Sequence, residues 1–209
     1  MPSATLVITL ILLVVAVATD KIVRRKVAGH IDALYSTGNG SDLLVYLDSH
    51  LVKYLYPSFN RAFMRVNAYE LIGDAKGEGR ELAMLLSEKR LDEKQRHTVV
   101  LRGFEFYLKE RENKKARELL NEIERWDNFP SADMYSMLFE VVANNSASYI
   151  QACEDILTDT EGADRLQLLY LLSKQYKNIG RTEIAREYET QSIESLGELR
   201  SGKAHNEAT

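Results

Sequence analysis

Cysteine occurs once in 209 residues, at Cys153, which rules out an intrachain disulfide framework and suits a reducing compartment. Three prolines and eleven glycines are too few for a sandwich or barrel of many short strands, which needs turn residues every eight to twelve positions or so. Four histidines are present (His30, His50, His97 and His205), none with a cysteine or acidic partner at metal-ligand spacing, so neither metal nor cofactor is expected. An excess of positive charge is also missing: 27 Lys and Arg stand against 31 Asp and Glu, a formal charge of −4, which argues against a nucleic-acid partner. The length suits one domain, or one domain with an appendage.

What is present begins at the N-terminus. Residues 1–19 carry no charged side chain, and Ala4–Thr19 is an almost unbroken apolar run. A helix rising 1.5 Å per residue would carry nineteen residues across about 29 Å, close to the hydrocarbon thickness of a bilayer. Lys21, Arg24, Arg25 and Lys26 follow at once, and this cationic flank favours the cytoplasmic side. The reading is a single-pass anchor over residues 1–20 with the bulk of the chain in the cytoplasm. A cleavable secretory signal is the competing reading, because Ala16-Val17-Ala18 has a small-x-small form. Against it, no Lys or Arg precedes the apolar run, and the basic cluster after the cut would resist translocation.

Beyond the run the periodicity is helical throughout. Leu44, Leu47, Leu51, Tyr54 and Leu55 follow the i, i+3, i+4 spacing of one buried stripe, as do Val100, Gly103, Phe104 and Tyr107. Ile150, Cys153, Ile156 and Leu157 make another, with Cys153 as a small buried hydrophobe. Breaks at Gly38-Asn39-Gly40, Pro57, Gly73 to Gly79, Leu91-Asp92, Glu110 to Lys115, Phe129-Pro130, Asn144-Asn145, Thr158 to Gly162 and Gly180 predict about ten helices of ~11–17 residues in an all-α series of hairpins. Asp164 with Gln167 has the form of a capping box. Residues 200–209 lack an apolar stripe and are expected to be a disordered tail.

Small residues recur in successive second helices: Ala83, Ala116, Ala152 and Ala185, at intervals of 33, 36 and 33. Tyr107 and Tyr176 each precede such an alanine by nine positions, and the last unit reads Leu172-Ser173-x-x-Tyr176-x-x-x-Gly180-x-x-x-x-Ala185. On these residues the chain resembles the tetratricopeptide repeat family, whose unit is a helix–turn–helix of ~34 residues. The likeness is greatest over 166–199, weaker over 97–130, and faint over 64–96, 133–165 and a first unit at 24–58. Ser173 and Phe104 stand where the family has a small glycine. The resemblance implies a solenoid of about four to five helix pairs over residues 21–199, with the first helix of each pair lining a concave groove. Carried onto this chain, the groove positions are Arg102, Glu105, Lys109, Lys174, Lys177 and Asn178, with Arg65, Tyr69, Asn144 and Asn145 from the less similar units.

No constellation of residues in the chain signals catalysis. There is no phosphate loop, no nucleophile elbow and no low-pKa setting for the thiol. A groove rich in cations and amides within an acidic chain points to an acidic or C-terminal peptide. The expected function is therefore a membrane-anchored interaction scaffold, neither an enzyme nor a binder of a small-molecule substrate, with lipid contacted through the anchor. Two alternatives stand beside it: a secreted or periplasmic helical-repeat protein cut near Ala18, and an enzyme whose site is assembled from residues distant in sequence.

Overall fold

The computed structural model describes the backbone of residues 4–206 and the side chains of residues 18–197. Among these the chain is all-α, with eleven helices and no strand. It divides into two compact units, residues 1–99 and 100–209.

The first unit holds α1 (Ala4–Ser36), α2 (Gly40–Leu47), α3 (His50–Leu55), α4 (Ser58–Leu71), α5 (Ala75–Ser87) and the start of α6 (Glu93–Lys109). Along α1, Val23, Val27, Ile31 and Leu34 step by three or four residues and form one apolar stripe. Against it pack Leu43 and Leu47 of α2, Val52 and Leu55 of α3, and Ala68 of α4. Each fully buried Leu or Val in this cluster contributes about 1.5–3 kcal/mol of transfer free energy. Gly40 sets the approach of α2 to α4, since a Cβ there would lie 2.6 Å from the Ala68 carbonyl oxygen. Tyr35 ties α1 to α4 by donating its hydroxyl to the Met64 carbonyl at 3.0 Å.

The stripe expected at 44–55 is corrected in this unit. Leu51 is 45% exposed and Tyr54 83% exposed. The helix stops at Leu47 and restarts at His50, with the Ser49 hydroxyl accepting from the Val52 amide at 3.4 Å. This break shifts the phase, so Val52 faces the core in place of Leu51 and Tyr54, while Leu55 is buried as the stripe requires.

The second unit contains the rest of α6, then α7 (Asn113–Ile123), α8 (Ala132–Ala143), α9 (Ile150–Leu157), α10 (Gly162–Asn178) and α11 (Thr182–Asn206). Phe104 of α6 is fully buried, with Tyr135 edge-on at 5.4 Å and Phe139 at 6.5 Å. Val141, Cys153, Leu168, Leu171 and Leu172 form a second cluster from α8, α9 and α10. The capping box expected at Asp164 is not formed, because α10 begins two residues earlier, at Gly162. A reciprocal box opens α6 instead: Gln95 donates its amide N–H to Asp92 at 2.8 Å and accepts the Asp92 N–H at 3.2 Å.

A repeat shows in the turns. Among residues with positive φ, Gly38, Gly73, Arg111, Asn145 and Gly180 fall at intervals of 35, 38, 34 and 35 residues, with Asn128 and Gly162 outside that spacing. Four of them close a helix in the same way. The N–H of Gly38, Gly73, Arg111 or Gly180 bonds to the carbonyl three residues back, and the next N–H bonds to Leu34, Tyr69, Tyr107 or Tyr176. Five residues past each of these four turns the chain is buried, at Leu43, Glu78, Ala116 and Ala185. The alanine register read from the sequence is therefore half right. Ala116 and Ala185 are fully buried, whereas Ala83 and Ala152 are exposed. Glu78 takes the place assigned to Ala83, and Cys153, one residue on, takes that of Ala152.

The anchor expected at 1–20 falls almost wholly on residues whose side chains lie outside the described set. The backbone of α1 is helical from Ala4 through the apolar run to Ser36. Among the described residues, no helix is long and apolar enough to cross a membrane. The tail expected at 200–209 also lies outside the described side chains; α11 carries helical backbone to Asn206.

Candidate functional site

In the second unit α6, α8 and α10 line a cleft of about 900 Å³. Helical spacing puts the lining on one face of each. Leu166, Tyr170, Lys174 and Lys177 step by three or four along α10, and Tyr135, Leu138 and Val142 do so along α8. The opposite face of α10, with Leu168, Leu171, Leu172 and Gln175, is buried. Leu108, Leu138, Val141, Val142 and Leu166 supply the apolar part of the lining. Around them stand four cations (Lys109, Arg111, Lys174 and Lys177) against one carboxylate, Glu105, with the amides of Asn113, Asn145, Gln167 and Asn178. A chain of net charge −4 thus gathers a local positive excess.

These charges are not equally available. Lys177 is paired with Glu189 of α11, which also accepts from the Ser173 hydroxyl at 3.2 Å. The Lys177 bond is the main influence holding Glu189 below the usual carboxylate range. Lys174 lies 5.4 Å from the centre of the Tyr170 ring, so an aromatic face directs its ammonium; among the described residues it makes no salt bridge, and its charge adds to that of Lys177 in holding Glu189 low. Burial, and after it the Glu105 carboxylate, push the Tyr135 phenol up to about 12.

Of the residues proposed from sequence, Glu105, Lys109, Asn145, Lys174, Lys177 and Asn178 line this cleft. Arg102 lies beside Glu105, 3.9 Å from its carboxylate, outside the lining. Asn144 donates to Glu140 at 2.7 Å, and Glu140 also takes Arg117 at 2.9 Å; Asn144 first and Arg117 second hold that carboxyl low. Asn178 has a structural task, donating from Nδ2 to the carbonyls of Val141 and Ser146, each at 2.9 Å. Arg65 and Tyr69 belong to the first unit. There Arg65 bridges Glu81 at 2.7 Å and Asp48 at 3.1 Å and reaches the Tyr69 hydroxyl at 3.3 Å, which ties α4 to α5 and to the end of α2. Of the cations after the apolar run, Arg24 binds Asp20 at 2.7 Å and the Leu55 carbonyl at 3.1 Å. Lys21, Arg25 and Lys26 are exposed.

Sequence reasoning missed Arg111, Tyr135, Gln167 and Tyr170. Tyr170 was within reach, since it stands four residues before Lys174 on the same helical face. Gln175 was missed as well; it is fully buried, accepts the Tyr149 N–H at 2.8 Å and directs Nε2 to the Cys153 sulfur at 3.7 Å. Burial pushes that thiol up. Glu154 accepts both Tyr176, at 2.7 Å, and Tyr188, at 2.9 Å, under stacked rings, and so joins α9, α10 and α11. Among the described residues no group of three or more His, Cys, Asp or Glu is placed to hold a metal ion. Comparison with protein-family models, with curated proteins and with solved structures gives no match.

Proposed function

We propose that the chain is a membrane-anchored interaction scaffold whose second unit holds an acidic peptide segment in the α6–α8–α10 cleft. The observation that carries this reading is the cation-rich and amide-rich lining over an apolar floor in a chain that is acidic as a whole. Lys109, Arg111 and Lys174 meet carboxylates by charge-assisted bonds, and the apolar floor takes the intervening side chains. The likeness to tetratricopeptide repeats fits this arrangement, since the cleft is lined by successive first helices of the hairpins. Residues 1–20 would hold the scaffold at the membrane with its repeats on the cytoplasmic face. The effective concentration gained there makes a modest cleft affinity sufficient.

A short fluorescent peptide of alternating glutamate and leucine tests the reading by anisotropy, beside the same peptide with lysine for glutamate. The wild-type chain is expected to bind the first and not the second. Lys109→Glu with Lys174→Glu is expected to abolish binding with helicity unchanged. This pair is preferable to one that includes Lys177, whose replacement would also set two carboxylates together at Glu189. Unaltered binding by the double variant would remove the cleft from consideration.

A further inference from the structure

The exposed apolar residues of α3 stand close to the membrane end of α1. Arg24 donates to the Leu55 carbonyl at 3.1 Å, and Val23 packs in the same cluster as Leu55 and Tyr56. The C-terminal end of α3 is thus fixed at the level of residues 23–24 of α1. That level is four to five residues past Thr19, where the apolar run ends, or about 7 Å along a helix. The headgroup layer on each side of a bilayer is about 5–7 Å thick. Helix α2 sits higher: the His30 and Tyr46 rings meet at 4.5 Å, which puts this part of α2 about 16 Å beyond the run.

We infer that the α1–α3 face is a bilayer contact, with α3 lying in the headgroup layer of an anionic membrane. The inference rests on the anchor proposed above. Tyr54, Leu51 and Ile22 are 83%, 45% and 57% exposed, an aromatic and two aliphatic side chains without cover in the first unit. A tyrosine at this depth has the amphipathic character that the interface selects. The charge is complementary. Asp20, the acid nearest the run, is taken up by Arg24, while Lys21, Arg25 and Lys26 make no hydrogen bond or ion pair among the described residues and are available to lipid phosphates. The Asp48–Ser49 break, which turns Leu51 and Tyr54 outward, gives the first unit a second point of contact with the membrane and thereby sets its tilt.

Depth-dependent quenching tests this on the full chain in vesicles of phosphatidylglycerol and phosphatidylcholine brominated high on the acyl chain. In a Trp126→Phe background the single reporters are Tyr54→Trp, Leu51→Trp and, as a control, Val45→Trp, which is exposed and lies on α2. Tryptophan at 54 or 51 is expected to shift to the blue and lose most of its emission, and tryptophan at 45 to keep it. Flotation of the unmodified chain with the vesicles reports the anchor separately. A chain that does not float overturns the anchor. A chain that floats with positions 54 and 51 unquenched overturns the surface contact alone. Equal quenching at 54 and 45 overturns the assigned depth, and a blue shift at 54 that depends on protein concentration instead of lipid assigns the face to a second copy. Undiminished quenching in purely zwitterionic vesicles overturns the anionic-surface assignment.

Discussion

Asn178 is a groove residue by its place in the sequence, and its hydrogen bonds hold the cleft together. Its Nδ2 donates to the carbonyls of Val141 and Ser146, both at 2.9 Å, so the last turn of α10 pins the turn between α8 and α9. Asn178→Ala removes two bonds worth about 0.5–1.5 kcal/mol each, a loss of roughly 1–3 kcal/mol. Asn178→Asp is expected to cost more than alanine, because it replaces the donor with an anion aimed at two carbonyl oxygens. The chain carries one tryptophan, Trp126, packed edge-on to Phe129 at 5.2 Å, so its fluorescence follows the second unit. With a urea m-value of about 2 kcal/mol/M, the alanine variant moves the midpoint down by roughly 0.5–1.5 M at unchanged slope. An aspartate variant that unfolds together with wild type would refute the pinning role. Weaker peptide binding with no shift of midpoint in the alanine variant would return Asn178 to the ligand.

Three leucine substitutions separate the observed register from the one the spacing predicts. Ala185→Leu, at a fully buried site, should cost about 1–3 kcal/mol by overpacking, whereas Ala83→Leu and Ala152→Leu, both exposed, should stay within about 0.5 kcal/mol in the same urea titration. Tyr135 governs part of the alkaline limb. Its phenol is pushed up to about 12 from 10.0, so the unfolded chain releases this proton first. The stability it contributes is complete below pH 10 and is lost as pH rises from there to about 12. Tyr135→Phe should flatten that loss in denaturation curves taken across this range, and an unchanged alkaline limb would assign it to other groups.

The all-α character was legible because its main signal is periodic. Val100, Phe104 and Tyr107, and likewise Leu169 and Leu172, are buried as their spacing requires. The misplacements have a common physical origin. A helical stripe read across a break keeps its phase on paper, but the helix does not keep it. Asp48-Ser49 looks like two polar residues on an outer face, yet Ser49 caps a new helix and rotates everything after it. Glu78 hid the true register of α5, because an acid at a buried position does not read as a small packing residue. Lys109, Lys174 and Lys177 were legible as positions along α6 and α10, whereas Arg111, in the turn after α6, was not. The partners of Lys177 and Asn178 were not, since Glu189 and the Ser146 carbonyl are brought to them by tertiary packing that no local spacing encodes.

Helix α10 has two polar faces with opposite duties, and their proximity bears on how the cleft would bind. One face carries Lys174 to the cleft. Turned away from it, Gln175 is fully buried and accepts the Tyr149 N–H at 2.8 Å, so the segment between α8 and α9 is fastened from within the core. Asn178 fastens the same segment at the carbonyl of Ser146, immediately after Asn145, which lines the cleft. A buried amide left without its partner costs about 1–3 kcal/mol, so this segment cannot lift away without exposing the Tyr149 N–H or orphaning it. The cleft wall is thus held by the chain itself, and the binding proposed above would cost it little ordering entropy. A preformed wall edged by Lys109, Arg111 and Lys174 is consistent with the acidic segment proposed above.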